Sequence, residues 1–161
     1  MKQARRNNLW PALLLWALLL TACREATVYT DYRDLPAEGW RATDTLQFSV
    51  DSIAAPGTYV LHLGLRTSSA HPYPYRSITL AMQRTGSGLP AAGRCDTITM
   101  ALATPGGDIS GRGVSTYEYV QPADTFHLPA GGHCHLRIYH LMRRTPLPGV
   151  INVGVELERM E

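Results

Sequence analysis

From residue 45 onward, apolar residues recur at every second position. Leu46, Phe48 and Val50 share one face of "TLQFSVDSI", and Tyr59, Leu61, Leu63 and Leu65 share one face of "TYVLHLGLR". The pattern returns as Ile78, Leu80 and Met82, as Ile98, Met100 and Leu102, and as Cys134, Leu136 and Ile138. It ends with Ile151, Val153, Val155 and Leu157, and "DTFHL" at 124–128 is a shorter candidate. Alternation with one apolar face predicts strands lying on a core. Turn-forming clusters separate them: "AAPG" at 54–57, "HPYP" at 71–74, "GSGLPAAG" at 86–93, "LPAGG" at 128–132 and "TPLPG" at 145–149. Seven such strands predict an all-β fold, a single antiparallel β-sandwich of immunoglobulin or jelly-roll kind. Residues 104–119, "TPGGDISGRGVSTYEY", are the longest stretch without clear alternation. They read as a sheet-to-sheet crossover, with a functional loop as the alternative.

The first residues follow a different rule. "MKQARRNN" carries Lys2, Arg5 and Arg6 and no acid, and residues 9–20, "LWPALLLWALLL", are wholly apolar. Twelve helical residues span only about 18 Å against a hydrocarbon core of roughly 30 Å. A basic flank, a short apolar core and small residues at its end describe a secretory signal. Its last residues, Leu20-Thr21-Ala22-Cys23, resemble the lipobox of bacterial lipoproteins, in which cleavage precedes a cysteine that then carries lipid. The expected organisation is a signal peptide at 1–22, a lipid-anchored tether at 23–43 and a sandwich domain at 44–161. Cys23 is the expected lipidation site. Several acyl chains would make the attachment effectively permanent, since one chain binds only marginally.

Cleavage changes the charge. The whole chain is formally +2, but the signal holds three of its fifteen basic residues and no acid, which leaves 139 residues at −1. That balance argues against a nucleic-acid binder. Cys95 and Cys134 are the two remaining cysteines. Export to an oxidising compartment makes a disulfide between them one reading, and two separate thiols the other.

Few residues form a constellation with chemistry. His133 and His135 share a strand face, but alternation turns Cys134 and His140 to the other, so no clean third metal ligand is present. "GSG" at 86–88 and "SGRG" at 110–113 match neither glycine-rich phosphate motif and read as turns. No G-x-S-x-G elbow occurs, and nothing selects a pair of acids for hydrolysis. The expectation is a protein that is not an enzyme and takes no cofactor or metal. Aromatics are the better recognition candidates. Tyr73 and Tyr75 flank Pro74, Tyr117 and Tyr119 repeat the spacing in the long loop, and the alternative reading is two tyrosines that close the end of the sandwich. Trp40 and Arg143 complete the candidate partner-binding set, as residue types that often anchor interfaces.

Taken in order, several segments resemble the gliding motility lipoprotein GldH family of the Bacteroidetes. They are "VYTDYRDLPAEGWRATDTLQFSV" after the lipobox, "YPY" at 73–75, "CDTITMALATPGG", "GRG" at 111–113 and "HLRIYHLMRRTPLPGVINVGVELE". The resemblance implies an outer-membrane lipoprotein needed for gliding and linked to type IX secretion, whose partners are other envelope proteins of that machinery. The alternative is an envelope-anchored module that binds glycans. Glu25 is the only acid close to Cys23, a weak version of the acidic export signal of some Bacteroidetes lipoproteins. A domain on the periplasmic face is therefore expected.

Overall fold

The computed structural model describes residues 27–160. The expected signal peptide and the expected lipidation site, Cys23, lie outside the described residues. Eight strands follow in chain order: β1 (Thr27–Asp34), β2 (Leu46–Val50), β3 (Gly57–Ser68), β4 (Ser77–Gly86), β5 (Arg94–Ala101), β6 (Thr116–Leu128), β7 (Cys134–His140) and β8 (Val150–Arg159). They form two four-stranded sheets, ordered β1-β8-β3-β6 and β2-β7-β4-β5. All the pairings are antiparallel, and they nest: β4 with β5, β3 with β6, β2 with β7 and β1 with β8. A long hairpin folded over on itself in this manner is a jelly roll, one of the two sandwich types expected.

The predicted faces meet as the core. Leu61, Leu63 and Leu65 of β3 stand opposite Leu157, Val155 and Val153 of β8. Facing them from the second sheet are Phe48, Leu80, Met82, Leu136 and Ile138, each at most 1% exposed. Where β4 and β6 approach each other, the core contains an ion pair instead of aliphatics. Arg84 Nε donates to Asp124 Oδ2 at 3.0 Å, both side chains are less than a tenth exposed, and the guanidinium lies 3.8 Å from the centre of the Phe126 ring.

Two expected boundaries are corrected. Residues 27–43 belong to the sandwich and not to a tether, because β1 pairs with β8 from Thr27↔Glu158 to Asp34↔Asn152. The side chains that β1 turns inward are Tyr29, Asp31 and Arg33, so the edge strand carries no aliphatic alternation. Inward charge on an edge strand also discourages pairing with other chains. On its outer face the Tyr32 ring lies across the facing glycines Gly64 and Gly154, with the Arg66 guanidinium 4.2 Å from its centre. The second correction concerns Tyr117 and Tyr119, which lie on β6 and not in the crossover. A bulge at Pro122–Ala123 shifts β6 by one residue, so its inward side chains change from odd to even positions. Among the described residues, no helix is long and apolar enough to cross a membrane.

Candidate functional site

The β3–β4 connection and the segment between β5 and β6 meet at one end of the sandwich and enclose a cleft of about 270 Å³. Four predicted recognition residues line it: Tyr73, Tyr75, Tyr117 and Tyr119. Leu102 forms a buried floor and Ile109 a half-exposed rim. Tyr73 and Tyr75 meet edge to face, with ring centres 5.7 Å apart and planes at 71°. The Tyr73 hydroxyl donates to the Ser77 carbonyl at 3.0 Å, and burial, followed by the neighbouring Tyr75, raises its pKa and keeps the phenol neutral. Tyr73 is thus a fixed wall, whereas Tyr75 remains 42% exposed.

Local sequence explains the closeness of this packing. Gly149 adopts a φ of +84°, and a Cβ there would stand 2.6 Å from the Tyr73 amide nitrogen. Gly111 comes equally close to Tyr119, since a Cβ would lie 2.6 Å from Cζ of its ring. The segment from 104 to 115 is ordered by its own backbone. Arg112 and Glu118 exchange amide–carbonyl bonds at 3.0 and 2.9 Å, and Ser110 donates to Leu102 at 3.1 Å. The "YPY", "TPGG", "GRG" and "LPG" segments, far apart in sequence, therefore converge on one recess.

The other candidates lie elsewhere. Trp40 is fully buried and is corrected from a partner-binding to a core residue. Its indole N–H donates to the Asp44 carbonyl at 2.8 Å, and its backbone bridges Leu147. His140 packs edge-on against Trp40 and donates from Nε2 to its carbonyl at 3.0 Å, while Nδ1 accepts from the Met142 amide. Arg143 is exposed in the β7–β8 connection and does not line the cleft. The cysteine bridge is also corrected, because both thiols are free. Cys95 faces outward from β5, Cys134 faces the core from β7, and β4 lies between them. Burial raises the Cys134 pKa to about 11. His133 and His135 point outward, within hydrogen-bonding distance of Ser87 and Ser49 respectively.

Sequence reasoning missed Leu102 and Ile109 as cleft residues. The strand pattern places Leu102 in the core, where it also lies, and Ile109 falls between the "TPGG" and "GRG" turns without alternation to mark its side.

The cleft side chains are phenolic, aliphatic and hydroxylic, with Arg76 as the charged member among the described residues. Together, fold and recess define an all-β jelly-roll domain with an aromatic pocket at one end. The model of the GldH lipoprotein family matches residues 27–157, and the chain belongs to that family. It is thus a gliding-motility-related lipoprotein, a lipid-anchored protein of the cell envelope. No curated protein matches it in sequence. Among solved structures, the Eiger TNF of S. frugiperda is similar over 82% of this chain and 92% of its own, at 9% identity and a TM-score of 0.35. The 4-O-methyl-alpha-glucuronidase BtGH115A, described as specific for decorated arabinogalactans, is similar over 88% of this chain at 17% identity and a TM-score of 0.45. The chain spans 18% of that enzyme's length.

Proposed function

We propose that the protein is a non-enzymatic outer-membrane component of the gliding and type IX secretion-linked machinery that docks an envelope protein through the tyrosine cleft. The observation that carries this reading is the convergence of Tyr73, Tyr75, Tyr117 and Tyr119 on one recess. A volume of about 270 Å³ fits one or two side chains of a partner segment. Tyrosines bury large area at small conformational cost and keep a polar tip, which suits an anchor pocket. Attachment to the same membrane raises a partner's effective concentration, so a weak interface suffices. The edge-to-face ring pair offers no flat stacking platform, and among the described residues no carboxylate or carboxamide side chain lines the cleft to hold sugar hydroxyls. Both points favour a protein partner over a glycan. The domain is assigned to the periplasmic face on the weak acidic signal after Cys23.

Tyr75→Ala and Ile109→Asp change exposed rim positions and leave the buried wall in place. Each should abolish surface spreading or secretion while the protein remains folded, lipidated and abundant, and crosslinking from position 75 should capture the same envelope protein repeatedly. Normal spreading by both variants would reject the cleft. Retention on a glycan array that is lost in Tyr75→Ala would favour the glycan module. Digestion of the domain by protease added to intact cells would place it on the surface.

A further inference from the structure

The two ends of the sandwich differ in the charge their connections carry, and the chain after Cys23 enters at the end with less. β1 starts at Thr27, four residues after Cys23, so the first strand lies within about 14 Å of the lipid-bearing residue. Thr27 pairs with Glu158, and Tyr59 with Arg159, which places the starts of β1 and β3 beside the end of β8. Three connections are knit together there. Ile53 donates to Gly132 at 2.9 Å, Gly131 donates to Ile53 at 2.8 Å, and Ser87 donates to His133 at 2.9 Å. These connections are residues 51–56, 87–93 and 129–133, and Asp51 is the one carboxylate or guanidinium among them. Their exposed tips include Ala54, Pro56, Pro90, Ala91 and Ala130. Nearby Met160 is 50% exposed, and Arg94, Glu158 and Arg159 stand at the flanks. The connections at the cleft end, by contrast, carry Glu38, Arg41, Asp108, Arg112, Arg143 and Arg144.

We infer that this sparsely charged end rests on the lipid surface that holds the anchor, with the tyrosine cleft facing directly away from it. The occupant of the surface is the bilayer itself. A linker of three residues between Cys23 and β1 cannot carry the end far from the headgroups. Small apolar tips suit an interface, and flanking Arg94 and Arg159 suit headgroup phosphates, with Asp51 and Glu158 as the acids beside them. β3 runs from Gly57 at this end to Ser68 in the cleft wall, about 36 Å at 3.3 Å per residue. The cleft is thereby held clear of the membrane by a rigid strand, with no flexible tether. The inference deepens the docking reading by stating where the cleft points, and it rests on Cys23 as the lipidated residue.

The test uses full-length lipidated protein in vesicles of phosphatidylethanolamine and phosphatidylglycerol with brominated acyl chains. Trp40 is the only tryptophan after residue 22 and is buried at the cleft end, so it provides an internal unquenched reference. Ala91→Trp and Ala130→Trp add probes at the anchored end, and Val114→Trp adds one at the other. The added emission should fall at least twofold on brominated vesicles for the first two and remain unchanged for the third. Hydrogen exchange on the unsubstituted protein should show residues 52–57 and 86–93 slowed on vesicles relative to detergent. Equal quenching at both ends, quenching at Val114 alone, or none at all in lipidated protein would overturn the inference and leave the docking reading standing. A chain whose Cys23 carries no lipid by mass spectrometry would overturn the anchor and the orientation together. Correct orientation with normal spreading by Tyr75→Ala would overturn the docking reading alone.

Discussion

Gly154→Ala adds one methyl group and should be destabilising only while Tyr32 is present. The new Cβ would lie 2.5 Å from Cε1 of the Tyr32 ring, far inside van der Waals contact. Tyr32 has reason to resist displacement. Its hydroxyl donates to Glu156 Oε1 at 3.0 Å, and Arg66, itself 2.8 Å from Glu118 Oε1, lies against its ring. Overpacking of this kind costs about 1–3 kcal/mol, whereas replacing a strand glycine by alanine without a clash gains about 0.5–1 kcal/mol. The net expectation for Gly154→Ala is a loss of about 1–2 kcal/mol. In a Tyr32→Ala background the clash is absent, and the same substitution should stabilise by about 0.5 kcal/mol. The two changes are therefore coupled by about 2 kcal/mol, within the range for residues in contact. Urea unfolding of the polypeptide from Arg24 onward measures it. With a slope of about 2 kcal/mol/M, the midpoint should fall by roughly 0.5–1 M in one background and rise slightly in the other. An equal effect of Gly154→Ala in both backgrounds would show that Tyr32 does not cover the glycine, and would leave β1 held by its pairing with β8 alone.

Three further outcomes are expected. Asp124→Ala leaves the Arg84 guanidinium buried without its counter-ion and should cost about 3–5 kcal/mol, while the double change Arg84→Met with Asp124→Leu should fall much closer to wild type; chemical denaturation of the three variants distinguishes a required pair from an incidental one. In the native protein iodoacetamide should modify Cys95 and spare Cys134, whose burial keeps it protonated; a mass two hydrogens short with neither thiol reactive would restore the bridge. His140 has its pKa lowered by burial, so its neutral form belongs to the folded state; stability is fully present above the unfolded value near 6.5 and declines as pH falls below it. The urea midpoint should therefore drop more steeply between pH 7.5 and 5.5 in wild type than in His140→Gln, and parallel curves would refute the assignment.

Most of the core could be read from period-two alternation, because six of the eight strands are apolar on one face and polar on the other. The exceptions have identifiable causes. β1 turns Tyr29, Asp31 and Arg33 inward and secures itself through Tyr32 on the opposite face, so its signal is an aromatic paired with distant glycines. That pairing emerges only when Gly64 and Gly154 are known to face each other. The alternation of β6 shows only its second half as a strand, because the Pro122–Ala123 bulge reverses the pattern midway. The reversal separated "DTFHL" from Tyr117 and Tyr119, which belong to the same strand.

The recognition residues were legible by type and not by place. Trp40 carries the strongest interface signal by residue type, yet the fold spends it on closing the β1–β2 connection over His140 and Leu147. The four tyrosines come together because nested antiparallel pairing brings the connection after β3 and the one before β6 to the same end. The same pairing carries the connections after β2, β4 and β6 to the opposite end, where Thr27 begins. Each connection is an ordinary turn when read alone. Sorted by end, they separate into a sparsely charged set where β1 begins and a more charged, aromatic set around the cleft. The difference between the two ends thus follows from the topology, and a linear reading cannot recover it until the strand partners are known.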